Sequence, residues 1–88
     1  MSDAPRALVT GASSGIGAAL AARLARRGHA VWLAARRKEA LDAEVASIRA
    51  AGGLAEAVVL DVSDPEAAEA RVRELDAEVG GFDLVIAN

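Results

Sequence analysis

The sequence predicts an α/β fold, a doubly wound parallel sheet with helices on both faces. Three observations carry this. Short apolar runs alternate with stretches whose apolar residues recur at helical spacing, in the order β-α-β-α-β-α-β. The connections are a few residues long and rich in glycine. The first of them, Thr10-Gly11-Ala12-Ser13-Ser14-Gly15-Ile16-Gly17, joins a strand to a helix through three glycines. Strands separated by helices run parallel through right-handed crossovers. For the front half of such a fold the expected strand order is 3-2-1-4.

Residues 1–5 read as a disordered lead-in, with Pro5 just before the first apolar run. Ala7, Leu8 and Val9 form a short buried strand ending at Thr10. The period then becomes helical: Ile16, Ala19, Leu20 and Leu24 fall on one stripe, and Gly28 stands where a helix C-cap needs positive φ. Arg26 and Arg27 in the last turn suit the negative end of the helix. A second strand runs from Ala30 to Ala34. Leu41, Val45 and Ile48 mark a second helix, stopped by Gly52-Gly53, and Leu54 to Leu60 is a third strand. Ser63 or Asp64 caps a third helix with Pro65 in its first turn, where a missing N–H costs little. Ala68, Val72, Leu75 and Val79 are its buried face, and Gly80-Gly81 ends it. Leu84 to Ala87 is a fourth strand.

The 88 residues suffice for one small domain, and a chain of that size is marginal alone. With a net charge of −3, nothing draws the chain as a whole to nucleic acid. There is no cysteine, so disulfides and thiolate chemistry are out and a reducing cytoplasm is the expected setting. No apolar run approaches the ~20 residues that span a membrane, and Met1 to Arg6 lacks the apolar core of a signal peptide.

The glycine turn is where function becomes legible. Gly11 permits a tight departure from the strand, Gly15 lets phosphates approach the backbone, and Gly17 lets the helix pack close to the sheet. The helix N-terminus offers unpaired N–H groups and partial positive charge to an anion, with the hydroxyls of Ser13 and Ser14 beside it and Ile16 within the same turn. A Gly/Ser turn that merely caps a helix is the plain alternative, but three glycines would then weaken the helix start to no purpose. TGASSGIG resembles the TGxxxGxG cofactor motif of the short-chain dehydrogenase/reductase family. The resemblance implies a Rossmann-type dinucleotide-binding domain, of which residues 1–88 form the N-terminal, incomplete part.

The end of the second strand distinguishes the two nicotinamide dinucleotides. An acidic side chain there accepts from the ribose 2′-hydroxyl of NAD, whereas arginine accommodates the 2′-phosphate of NADP. Here the strand ends Ala34-Ala35-Arg36-Arg37. By similarity to the family, Ala35 occupies the position where NAD-preferring members carry Asp or Glu. Arg36 follows it, as in NADP-preferring members, with Arg37 next. Arg36, Arg37 and Lys38 could instead be a solvated basic start to a helix, although cations are unfavourable there. The expectation is NADP(H) in preference to NAD(H).

Asp61-Val62 resembles the family's Asp-Val pair at the adenine pocket. The resemblance implies that Asp61 accepts from the adenine amino group and that the Val62 backbone fixes the ring. Asp61 could also simply end the strand before the Ser63/Asp64 cap. Ile86-Ala87-Asn88 resembles the start of the family's Asn-Asn-Ala-Gly segment: Asn88 matches the second Asn, and Ala87 replaces the first. There Asn88 would steady the sheet and border the adenosine.

Other residues take structural readings. Trp32 packs, His29 is an exposed loop residue without metal-ligating partners, and Phe82-Asp83 sets the start of the fourth strand. Glu66, Glu69, Glu74 and Glu78 fall on the solvent side of the third helix.

The family reduces carbonyls or oxidises alcohols with Ser, Tyr and Lys, the last two spaced YxxxK. There is no tyrosine here, and Lys38 lies in the wrong segment, so no catalytic residue is assigned. Three readings follow. The chain is the front part of an NADP(H)-dependent oxidoreductase acting on a small carbonyl or alcohol. It is a nucleotide-binding module without catalysis. Or it is one chain of a cleaved enzyme whose partner chain carries the rest of the fold. The first is favoured, because ending at Asn88 would leave the fourth strand as an open sheet edge. A homo-oligomer is implied by the resemblance alone.

Overall fold

A computed structural model describes residues 4–13 and 15–88. Strands and helices alternate along it: β1 (Arg6–Thr10), α1 (Gly15–Arg26), β2 (Ala30–Ala35), α2 (Lys38–Ala50), β3 (Leu54–Val59), α3 (Pro65–Val79) and β4 (Leu84–Ile86). The strands are parallel in the order β3-β2-β1-β4. This is the doubly wound sheet that the alternation demanded.

Because successive strand residues point to opposite faces, β1, β2 and β3 each supply two cores. Val9, Val31, Leu33 and Ala55 pack under α1 and α2 with Leu41, Val45 and Ile48. Leu8, Ala34, Val58 and Leu60 pack under α3 with Leu75, flanked by half-buried Ala68, Val72 and Val79. The apolar stripes of the second and third helices are therefore the faces that dock.

The first helix differs. Its buried residues are Gly17, Ala18, Ala21 and Ala25. Ile16 is 71% exposed, Ala19 is exposed, and Leu20 and Leu24 are only half-buried. The expected stripe followed the largest apolar side chains. The helix instead turns its smallest residues to the sheet, which brings its axis close to β1 and β2 and puts the turn before it within reach of both strands.

Two loop expectations also change. Pro5 is tied down, since its carbonyl accepts from the Ala30 N–H at 2.9 Å. His29 is half-buried with Nδ1 enclosed. Its N–H donates to the Leu24 carbonyl while Gly28 donates to Ala25, which folds residue 29 back over the end of α1. The same pair of bonds closes α2 (Gly53 to Ile48, Gly52 to Arg49) and α3 (Gly81 to Asp76, Gly80 to Ala77), using carbonyls a helix end otherwise leaves unpaired.

The open edge of β3 is covered by Arg49, whose Nε donates to the Ala55 carbonyl at 2.9 Å and whose guanidinium pairs with Glu56 at 3.1 Å. At the start of β4, the Asp83 carboxylate accepts from the Arg6 N–H at 2.7 Å, and the Asp83 N–H donates to the Arg6 carbonyl. Trp32 meets the preceding Phe82 edge-to-face, with ring centroids 5.5 Å apart. The glutamates of α3 are exposed, and Glu69, Glu74 and Glu78 pair with Arg71 and Arg73. Among the described residues, no helix is long and apolar enough to cross a membrane.

Candidate cofactor site

A groove of about 220 Å³ lies at the carboxyl ends of β1, β2 and β3. It is lined by Thr10, Gly11 and Ser13 from the end of β1 and the turn after it, by Ala34, Ala35, Arg36 and Arg37 from the end of β2, and by Leu60 and Val62 after β3. Two main-chain bonds hold these strand ends together: Ala12 N–H to the Ala34 carbonyl at 3.1 Å, and Leu60 N–H to the Ala35 carbonyl at 2.9 Å. Ligands of open parallel sheets bind in such a crevice. A larger cavity of about 400 Å³ lies between α1 and α2, lined by alanine, glycine, Ile48, Arg26 and Ser47. It is away from the carboxyl ends of the strands, where ligands of open parallel sheets bind.

The three glycines of the turn have separate geometric tasks. Gly11 has φ +62°, and a Cβ on it would stand 3.1 Å from both the side-chain nitrogen and the carbonyl oxygen of Asn88. A Cβ on Gly17 would strike the Gly11 carbonyl and come within 2.9 Å of the same Asn88 nitrogen. Gly15 also has φ +62°, yet nothing lies within 4 Å of a Cβ built there. Gly11 and Gly17 are thus required by close packing within the protein, and Gly15 leaves open space at the start of α1. The first turn of α1 contains no acidic residue, whereas α2 and α3 carry Glu39 and Glu66 there. Open space before an uncompensated helix N-terminus fits a pyrophosphate. Ser13 lines the groove and Ile16 is exposed beside it; Ser14 lies outside the described residues.

The cations that follow β2 divide. Lys38 turns to Asp42, with Nζ 2.8 Å from the carboxylate, a bond that raises its pKa. Arg36 and Arg37 line the groove, and among the described residues no carboxylate lies within ion-pair distance of either. Of the three basic residues, two remain for a ligand.

Asp61 follows β3 with its carboxylate folded back, where Oδ1 accepts from the Ser63 N–H at 2.9 Å. The Ser63 hydroxyl, then this N–H, hold the carboxyl below the usual Asp range; Arg36 adds a weaker pull, and slight desolvation opposes it. A folded carboxyl that resists protonation supports the fold fully at neutral pH, and that support fades as pH falls below about 4. In an NMR titration Asp61 is expected to titrate below ordinary aspartates. A midpoint at or above theirs would contradict the Ser63 contact. The cap of α3 is Asp64, which accepts from the Ala67 N–H at 3.3 Å. Val62 is 63% exposed on the groove wall.

Asn88 steadies the sheet. Its main-chain N–H donates to Thr10 Oγ1 at 3.1 Å and its side chain to the Gly11 carbonyl at 3.3 Å. The Thr10 hydroxyl donates to the Ile86 carbonyl at 3.4 Å. Four residues had not been singled out for the site: Thr10, Ala34, Leu60 and Ser63. A hydroxyl at the end of a core strand was the available signal for Thr10. Ser63 was legible only as a capping residue.

The family model for short chain dehydrogenase matches residues 5–88. The chain belongs to the short-chain dehydrogenase family. It is 55% identical over 82 residues to an uncharacterized oxidoreductase of Myxococcus xanthus, covering 93% of this chain and 32% of that one. A variant of actinorhodin polyketide ketoreductase, solved with NADPH, superposes with a TM-score of 0.87 at 37% identity, over 98% of this chain and 33% of that one. A metagenomic short-chain oxidoreductase in complex with NADP superposes with a TM-score of 0.86 at 43% identity, over 92% and 37%. The chain thus spans about a third of the length of these short-chain dehydrogenase relatives.

Proposed function

We propose that this chain is the cofactor-binding front part of an NADP(H)-dependent oxidoreductase. The observation that carries the cofactor choice is the end of β2, where Ala35 brings no carboxylate and Arg36 and Arg37 line the groove with no carboxylate within ion-pair distance among the described residues. A guanidinium pairs with a phosphate through two parallel hydrogen bonds, so a 2′-phosphate is the anion this wall suits. Two structural relatives bind the phosphorylated dinucleotide, which supports the same choice.

In this reading the pyrophosphate lies over Gly15 at the start of α1, and the Ser13 side chain donates to it. The adenosine lies along Val62, within reach of Asp61, and Asn88 borders it while holding the turn. When bound, NADPH supplies the hydride; the groups that move a proton lie in the remainder of the enzyme. That remainder extends the sheet from β4, whose Leu84 and Val85 are exposed. The substrate is a carbonyl or alcohol, and the intact enzyme works in the cytoplasm as a homo-oligomer.

The test is calorimetric titration of the complete gene product with NADPH and NADH, followed by NADPH oxidation against a panel of ketones and aldehydes. Tighter binding of NADPH with turnover of a carbonyl is expected. Equal affinity for the two dinucleotides would overturn the cofactor choice. Binding without turnover, in a gene product lacking YxxxK, would make the protein a nucleotide-binding module.

A further inference from the structure

We propose that Arg49 guards the open edge of the sheet: it occupies the Ala55 carbonyl and so keeps β3 from pairing with β3 of a second copy of the chain. The inference stands apart from the cofactor reading and uses none of the residues that line the groove.

The sheet runs β3-β2-β1-β4, so β3 has a neighbour on one side only. Along a strand, the N–H and C=O of one residue point to one edge and those of the next to the other. Leu60 donates inward to the Ala35 carbonyl at the end of β2, so the alternate residues Ala55, Ala57 and Val59 turn their main-chain groups outward. Such a row of outward groups is a template for another chain. The strand itself does little to discourage one. It reads Leu-Ala-Glu-Ala-Val-Val, without lysine or proline, its register with β2 is unbroken, and Leu54 and Val59 are exposed. The protection comes from α2 instead. Arg49, in the last turn of that helix, reaches over the edge, where Nε donates to the Ala55 carbonyl at 2.9 Å and Nη2 lies 3.1 Å from the Glu56 carboxylate. Its base is fixed. Ile48 is buried, the Gly53 N–H donates to the Ile48 carbonyl, and the Gly52 N–H donates to that of Arg49.

A second copy is the partner that the pattern of this strand fits. A two-fold axis through Ala57 sets two β3 strands antiparallel, with Ala57 opposite Ala57 and Ala55 of each copy opposite Val59 of the other. All of these are outward residues, so each pair can bond reciprocally. The side chains at the axis are alanine and crowd nothing. Glu56 falls opposite Val58, so the carboxylates are not set directly against each other. In this register the Val59 N–H of one copy donates to the Ala55 carbonyl of the other, the acceptor that Arg49 already holds. Guard and second copy compete for one atom. Because a two-fold contact is closed, losing the guard gives a discrete doubled species and not a fibre.

The experiment compares the complete gene product with its Arg49→Met variant by analytical ultracentrifugation over a range of concentrations, together with amide hydrogen exchange. Methionine keeps an apolar stem and removes the charge and the donors. Wild-type protein is expected to hold one mass throughout, with the Ala57 and Val59 amides exchanging faster than those of Val58 and Leu60. Arg49→Met is expected to form a species of twice that mass, its self-association strengthened about tenfold or more, the worth of one hydrogen bond from a charged group. In that species the Ala57 and Val59 amides become protected. Adding Val59→Lys, which puts a charge on the edge, should return the wild-type mass. Arg49 is exposed, and thermal melts check that each variant folds. An Arg49→Met protein that keeps the wild-type mass, doubling with those two amides unprotected, or doubling that survives Val59→Lys would overturn the proposal. So would wild-type protein in which the Ala57 and Val59 amides are already protected, a result that needs no variant.

Discussion

Arg36→Ala is expected to weaken NADPH binding by about 10- to 100-fold while leaving NADH within about twofold. The first figure follows from losing a charge-assisted contact of about 1.5–3 kcal/mol, with neighbouring Arg37 replacing part of it. The second follows from the site itself, since NADH has no 2′-phosphate for the guanidinium to meet. Arg36 is exposed and makes no ion pair with a carboxylate among the described residues, so its removal costs the fold little beyond a weak pull on Asp61. Lys38 does not compensate, because it is held by Asp42. Calorimetry at two salt concentrations provides the check. The difference between wild-type and variant should shrink as salt rises, as screening of an exposed charge requires. Parallel losses for both dinucleotides would mean that Arg36 acts on the shape of the groove instead of on the phosphate.

Gly17→Ala should destabilise the protein by about 1–3 kcal/mol, the usual range for overpacking. The sign is the informative part. Inside a helix, alanine is ordinarily better than glycine by up to about 1 kcal/mol. Here the added methyl strikes the Gly11 carbonyl, a main-chain atom that cannot swing away, and crowds Asn88. Relief requires α1 to move off the sheet or Asn88 to release the turn. Gly15→Ala is the paired control. Its methyl meets nothing within 4 Å, and the cost is the positive φ alone, about 1–2 kcal/mol. It should still reduce cofactor binding sharply, because the methyl occupies the space assigned to the pyrophosphate. Thermal melts with and without NADPH separate the two. Both substitutions lower the melting temperature of the free protein by several degrees, and Gly15→Ala in addition removes the upward shift that NADPH gives. A Gly17→Ala protein more stable than wild type would refute the packing argument.

The fold was legible because parallel sheets announce themselves: short apolar runs, helical stripes and glycine stops follow in fixed order, and the strand order came with them. What escaped were features that hydropathy weights wrongly or that join distant residues. The buried face of α1 is made of Gly17, Ala18, Ala21 and Ala25, and a stripe drawn through Ile16, Leu20 and Leu24 overlooks it. Small residues carry little hydrophobic signal, yet they are what close approach to a sheet needs. His29 read as a loop residue because nothing local shows that its N–H bonds back to Leu24. Around the groove, the sequence made legible that the glycine turn and Arg36 come together at the strand ends. The Asp61–Ser63 bond was not, because strand end and adenine contact looked like alternatives. A carboxylate with two oxygens can do both.

The bonds from Asn88 to Thr10 and Gly11 reach across 78 and 77 residues. They give the dinucleotide turn a schedule. During synthesis the TGASSGIG segment leaves the ribosome early, but the partner that braces it is made roughly 4–15 s later at ordinary elongation rates. Until β4 docks, Gly11 lacks the side chain that fixes its carbonyl, and Gly17 lacks its tight neighbour. The nascent chain is therefore expected to acquire cofactor affinity in one step, when Asn88 emerges, and not gradually as the first βαβ unit forms.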